Sequence, residues 1–98
     1  MIYKISAKAK EDIDNIWLHT FENCSQEEAD RYYNFILDEI EYIAENFDSG
    51  KSMEHLRKGY RATNVKSHII FYKKSKKDVV EIIRALHQRV DVENRPND

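Results

Sequence analysis

Two glycines, Gly50 and Gly59, and one proline, Pro96, are the only backbone punctuation in 98 residues. Turns need residues that tolerate unusual dihedrals, so a chain this poor in them must be built from long elements with few connections. With 41% hydrophobic residues it makes one domain spanning 1–98, since halves would fall below the size of a self-sufficient core. Charged residues reach 35%, yet the Ile, Phe, Tyr and Trp content argues against disorder.

Ile2–Ile5 alternates apolar and polar residues as a short strand does, and Ser6 offers an N-cap. A helix over Ala7–Asn23 follows, with Ala9, Ile13, Ile16, Trp17, Thr20, Phe21 and Cys24 as one buried stripe. Ser25-Gln26-Glu27-Glu28 has the form of a capping box, Ser25 capping forward and Glu28 reaching back. The second stripe runs through Ala29, Tyr32, Tyr33, Ile36, Ile40, Ile43, Ala44 and Phe47, which places both tyrosines in the core. So short a connection makes the helices an antiparallel hairpin.

Asp48–Ser52 reads as a loop, with Gly50 in a left-handed position past the helix end. Three strands are predicted beyond it, Tyr60–Val65, Ser67–Lys74 and Val79–His87, the last two joined by the polar run Lys74–Asp78. The last strand alternates as Val80, Ile82, Arg84, Leu86 against Val79, Glu81, Ile83, Ala85, His87. Neither face is clean, so it is a central strand covered on both sides. Residues 90–98 are expected to form a mobile tail. The fold class is α+β: a β-α-α-β-β-β chain whose helical hairpin packs on a small, mainly antiparallel sheet.

Charge is divided along the chain. Residues 1–49 hold 4 Lys/Arg against 12 Asp/Glu, and residues 50–98 hold 12 against 6. A fold with one acidic and one basic surface would produce this, and so would helices that simply carry solvated carboxylates; an overall charge of −2 argues against sequence-specific or general nucleic-acid binding. No apolar run is long enough to span a membrane, and MIYKISAKAKED has no signal-peptide core, so the expected location is cytoplasmic. Cys24 is a single cysteine, the four histidines have no ligand spacing, and no glycine-rich phosphate loop or nucleophile motif occurs. No cofactor, metal or catalytic residue is assigned.

The chemistry left lies in the second half: Arg57, Arg61, His68, Tyr72, Arg84, His87, Arg89 and Asp91. An arginine amid Val, Ile and Leu needs a partner, because an unpaired buried guanidinium costs several kcal/mol. Asp91 or Glu81 is the expected carboxylate for Arg84. The alternative is that Arg84 points into a groove.

Tyr3-Lys4-Ile5-Ser6 before a helix bearing Asp12, Ile13, Ile16 and Trp17 resembles the opening of ParE toxins in the RelE/ParE superfamily. Leu56-Arg57-Lys58-Gly59-Tyr60-Arg61, leading to Ser67-His68-Ile69-Ile70-Phe71-Tyr72, is similar as well. So is the close, Ile83-Arg84-Ala85-Leu86-His87-Gln88-Arg89-Val90-Asp91. Ala7 departs from the pattern where proline is common, a harmless change at a first helical position. The resemblance implies the toxin of a toxin–antitoxin pair, neutralised by a ParD-like antitoxin, whose target is DNA gyrase in ParE-like members and ribosome-bound mRNA in RelE-like ones. The chain lacks a tyrosine after Tyr72, follows His87 with Gln88, and is acidic overall, which favours gyrase over an endoribonuclease. A non-toxic protein-interaction domain is the third alternative. Arg57, Arg61, Lys66, Arg84, His87 and Arg89 are the candidate target- or antitoxin-binding residues, and the tail is a candidate contact surface.

Overall fold

The computed structural model describes residues 2–88. Strand β1 (Tyr3–Ile5) leads into helices α1 (Ala7–Asn23) and α2 (Gln26–Glu45); β2 (Lys51–Ser52), β3 (Arg61–Val65), β4 (His68–Lys74) and β5 (Val80–His87) complete the chain. The five strands form one sheet in the order β1-β5-β4-β3-β2. All pairs are antiparallel except β1 with β5, which run parallel with Tyr3 opposite Val80 and Ile5 opposite Ile82. The two-residue β2 extends the sheet within the stretch read as loop.

Both helices begin where their caps dictate. The Ser6 hydroxyl accepts from the Ala9 N–H at 3.0 Å and donates to the Ile83 carbonyl at 2.9 Å, while the Ser6 N–H reaches the Ile82 carbonyl at 3.0 Å. One serine therefore ends β1, starts α1 and ties both to β5. Ser25 accepts from the Glu28 N–H at 3.1 Å, but the Glu28 carboxylate turns forward to Arg31 at 2.7 Å instead of back to the cap. An i,i+3 ion pair replaces the second half of the expected box.

The main core lies between the helices and the sheet: Ala9, Ile13 and Ile16 of α1 and Ile36, Ile40 and Ile43 of α2 against Val65, Ile70, Tyr72, Val80, Ile82 and Ala85. Ala62, Phe71 and Leu86 form a smaller cluster with Met53, Tyr60, Ile69 and Ile83. The division does not follow simple alternation, since Val80 and Ile82 share a cluster with Ala85 while Ile83 joins Leu86. A β-bulge is the reason: Phe71 pairs with Arg84 and Tyr72 with Ile82, so Ile83 is passed over and the pleat is re-phased.

Three other expectations are corrected. Phe21 is 45% exposed because it lies about 110° around α1 from the Ile13–Ile16 line, and Cys24 is exposed as the C-cap beyond the last helical residue. Tyr33 is 37% exposed, at the margin of the α2 stripe rather than within it. Gly50 has φ −76°, an ordinary extended value. Its glycine is required by proximity, since a Cβ would overlap the Tyr72 hydroxyl. Left-handed backbone occurs instead at Gly59 (φ 82°), at Lys66 (φ 54°) in the tight β3–β4 turn, and at Asp78 (φ 60°).

Tyr72 is fully buried and donates to the Phe47 carbonyl at 2.9 Å. Burial pushes its hydroxyl above the ordinary 10.0, with Arg61 opposing the shift. The unfolded hydroxyl ionises first, so this contribution to stability is complete below pH 10 and declines as pH rises through the folded value. Tyr72→Phe is expected to cost about 1 kcal/mol at neutral pH. Urea titrations at pH 8 and at alkaline pH should show a shallower alkaline loss in the variant than in the wild type.

Candidate functional site

β1 ends opposite Ile82, and β5 continues five residues further, where among the described residues no strand covers its outer edge. Unpaired edge groups need partners, and α1 supplies them. The Asp12 carboxylate accepts from Arg84 Nε at 2.7 Å, from Arg84 Nη2 at 3.0 Å and from the Ala85 N–H at 3.0 Å. Both side chains are only 14% exposed, so this is a forked, largely desolvated ion pair. Asp12, a partner of Arg84, thus comes from a helix far away in sequence. Glu81 is not that partner, and Asp91 lies outside the described residues.

Beside this pair opens a cleft of about 680 Å³. Lys8, Asp12 and His19 line it from α1, Tyr32 from α2, His68 from β4, and Arg84 and His87 from β5. The Tyr32 hydroxyl lies 2.6 Å from His68 Nδ1, 3.0 Å from the Val65 carbonyl and 3.3 Å from the Ser67 N–H, which donates to it. It has one proton. It donates either to Val65, with His68 then donating to the phenol, or to His68 itself. Burial pushes the Tyr32 hydroxyl upward and the Ser67 N–H partly offsets this. The His68 and His87 rings meet edge to face at 5.3 Å, extending the polar row toward the end of β5.

The expected binding residues divide between regions. Arg84 and His87 line the cleft. Arg61 is a brace for the α2–β3 connection: its Nη1 donates to the Gly50 carbonyl at 2.6 Å, and its Nη2 lies 3.4 Å from Asp48. Lys66 is exposed at the β3–β4 turn with its ammonium 4.9 Å from the centre of the Phe35 ring. Arg57 is exposed with its guanidinium 5.9 Å from the centre of Tyr60. Arg89 lies outside the described residues. Asp12 and Tyr32 were not among the expected residues. Helical position marks them: each flanks a buried isoleucine stripe on the side facing the last strands.

The cleft offers imidazole and phenol groups for hydrogen bonding or proton movement and the exposed ammonium of Lys8 at its wall, while its guanidinium is already charge-compensated. A phosphorane intermediate needs cations that are available to it. Arg84 is turned to Asp12, with its fork closed on two carboxylate oxygens. As an element of the fold, by contrast, the pair fastens the first helix to the final strand. Removing one member leaves the other charge desolvated and is expected to cost about 3 kcal/mol. Asp12→Ala and Arg84→Ala should each lower the melting temperature by on the order of 15 °C. The double variant should lose clearly less than the sum, which thermal melts in a double-mutant cycle would read.

Residues 3–92 match the family model described as the ParE toxin of the type II toxin–antitoxin system parDE. The chain is 39% identical over 89 residues to a Toxin ParE1 of Caulobacter vibrioides, covering 91% of each protein. It is 30% identical over 91 residues to a Toxin ParE1 of Mycobacterium tuberculosis, covering 93% of each. Among solved structures it resembles a chain of the chromosomal ParDE TA system from P. aeruginosa, with a TM-score of 0.76 at 19% identity. That match covers 89% of this chain and 95% of the other.

Proposed function

The chain belongs to the ParE toxins of type II toxin–antitoxin systems, and we propose that it acts by poisoning DNA gyrase, held inactive by a ParD-like antitoxin. The observation that supports a binding mode of action over RNA cleavage is the Asp12–Arg84 fork. Among the described residues it turns the strand-borne guanidinium that lines the cleft to a structural task. Poisoning requires no bond chemistry by the toxin. It requires a rigid body that holds the target in its cleaved-DNA state, and a sheet tied to a helical hairpin through Ser6, Asp12 and Tyr32 suits that task.

Antitoxin recognition on this reading uses the basic half. Arg57 and Lys66 are exposed and stand on the β-rich part of the chain, where an acidic, amphipathic partner segment would meet them. Arg61 and Arg84 contribute through the backbone geometry they brace. The location that fits this activity is the cytoplasm, where gyrase works; among the described residues no helix is long and apolar enough to cross a membrane.

A second reading, ribosome-dependent mRNA cleavage, draws support from one observation, the grouping of Tyr32, His68 and His87 around the cleft. The two are separated by incubating the purified protein with gyrase, ATP and plasmid, followed by detergent and protease. Linear DNA should accumulate. Unimpaired supercoiling together with cleavage of mRNA on translating ribosomes is the result that replaces the gyrase reading. Antitoxin binding should weaken as salt rises, and Lys66→Ala and Arg57→Ala should each weaken it several-fold in low-salt calorimetry.

A further inference from the structure

The helical hairpin carries a second surface that none of the preceding chemistry uses. Trp17 lies two residues from His19, about 200° around α1, and so on the flank turned away from the cleft. There its ring stacks on Phe21 with centroids 5.2 Å apart and planes within 7°. The indole N–H donates to Asp30 of α2 at 2.9 Å, which fixes the ring across the seam between the helices. Tyr33 and Asp14 complete a recess of about 360 Å³ with Trp17 and Asp30. Phe21, Tyr33 and the neighbouring Leu18 are 45%, 37% and 47% exposed. Among the described residues neither Asp14 nor Asp30 is part of a salt bridge.

Aromatic walls with carboxylates at the rim form a receptor of definite chemistry. Lysine or arginine methylenes lie against the rings while the charged head meets the carboxylates, and the ring faces add cation–π attraction. The surroundings match, because the first half of the chain, which includes both helices, holds 12 Asp/Glu against 4 Lys/Arg. Such a surface repels acidic partners and attracts basic ones.

We propose that this acidic, aromatic seam is the surface that docks the target, seating a basic side chain of a cationic gyrase surface between Asp14 and Asp30 and over Trp17 and Tyr33. The assignment rests on the gyrase reading. An enzyme that handles DNA presents cationic surfaces to it, and those surfaces complement the seam and not the basic half. Target and antitoxin then meet different faces of the toxin.

The test uses Asp14→Lys and Phe21→Ser, both at exposed positions, in the gyrase cleavage assay. Antitoxin binding and thermal melting are measured on the same preparations. The expected result is a loss of linear DNA of roughly tenfold or more, as for a central interface residue, with antitoxin affinity and melting temperature close to wild type. Variants that melt like wild type and still generate wild-type amounts of linear DNA overturn the proposal. Loss of antitoxin binding with intact poisoning overturns it too, and places the antitoxin on the seam. If Phe21→Ser does not fold, Asp14→Lys, which alters only an exposed charge, decides the matter. Wild-type protein that gives no linear DNA removes the gyrase reading itself, an outcome distinct from failure of the surface alone.

Discussion

The outer edge of β5 is the constraint on which the rest of the molecule depends. β1 covers it only as far as Ile82, and beyond that point no described strand satisfies the backbone polar groups and Arg84. Ser6 takes the Ile83 carbonyl, and Asp12 takes the Ala85 N–H together with the guanidinium. These contacts fix the position of α1 on the sheet. α2 is in turn set by its packing on α1 and by Tyr32, whose hydroxyl reaches the Val65 carbonyl at the end of β3. The cleft is the space left when a helix, rather than a strand, completes the edge.

Local signals made much of this legible. Ser6 and Ser25 announced both helix starts because capping is short-range chemistry, and the isoleucine periodicity gave the faces that are buried. The strands were readable from their β-branched and aromatic runs. What the chain did not reveal depends on pairing. The bulge at Ile83 exists only relative to Phe71 and Tyr72 on β4, so no alternation along β5 could indicate that Ala85 shares a face with Ile82. Gly50 looked like a helix terminator when its constraint is the Tyr72 hydroxyl, twenty-two residues onward. Asp12 looked like one of several solvated carboxylates. Only the topology that sets β5 against α1 distinguishes it from Asp14 two positions away.

The division of charge has a more exact meaning in three dimensions than in sequence. Not every cation of the basic half faces outward. Arg61 is bound to the Gly50 carbonyl and Arg84 to Asp12, whereas Arg57 and Lys66 are exposed, as are Lys51, Lys58, Lys74 and Lys76. The acidic half differs in the opposite sense: Asp14 and Asp30 border exposed rings without an ion-pair partner among the described residues. The molecule therefore has two chemically distinct faces, one cationic on the strands and one anionic and aromatic on the helices.

The fork between Asp12 and Arg84 joins residues 72 positions apart, and Ser6 and Ile83 are 77 apart. These contacts cannot form before β5 has been made. A hairpin of helices emerges early from the ribosome, but β1 has no neighbour and α1 no edge to cover until β5, the last described strand, has been synthesised. Local structure assembles quickly, whereas pairings that close nearly the whole chain come late. A translation product that stops before β5 consequently lacks the strand that joins β1 to the rest of the sheet and the edge on which α1 is held. Synthesis of β5 is then the point from which the sheet can close.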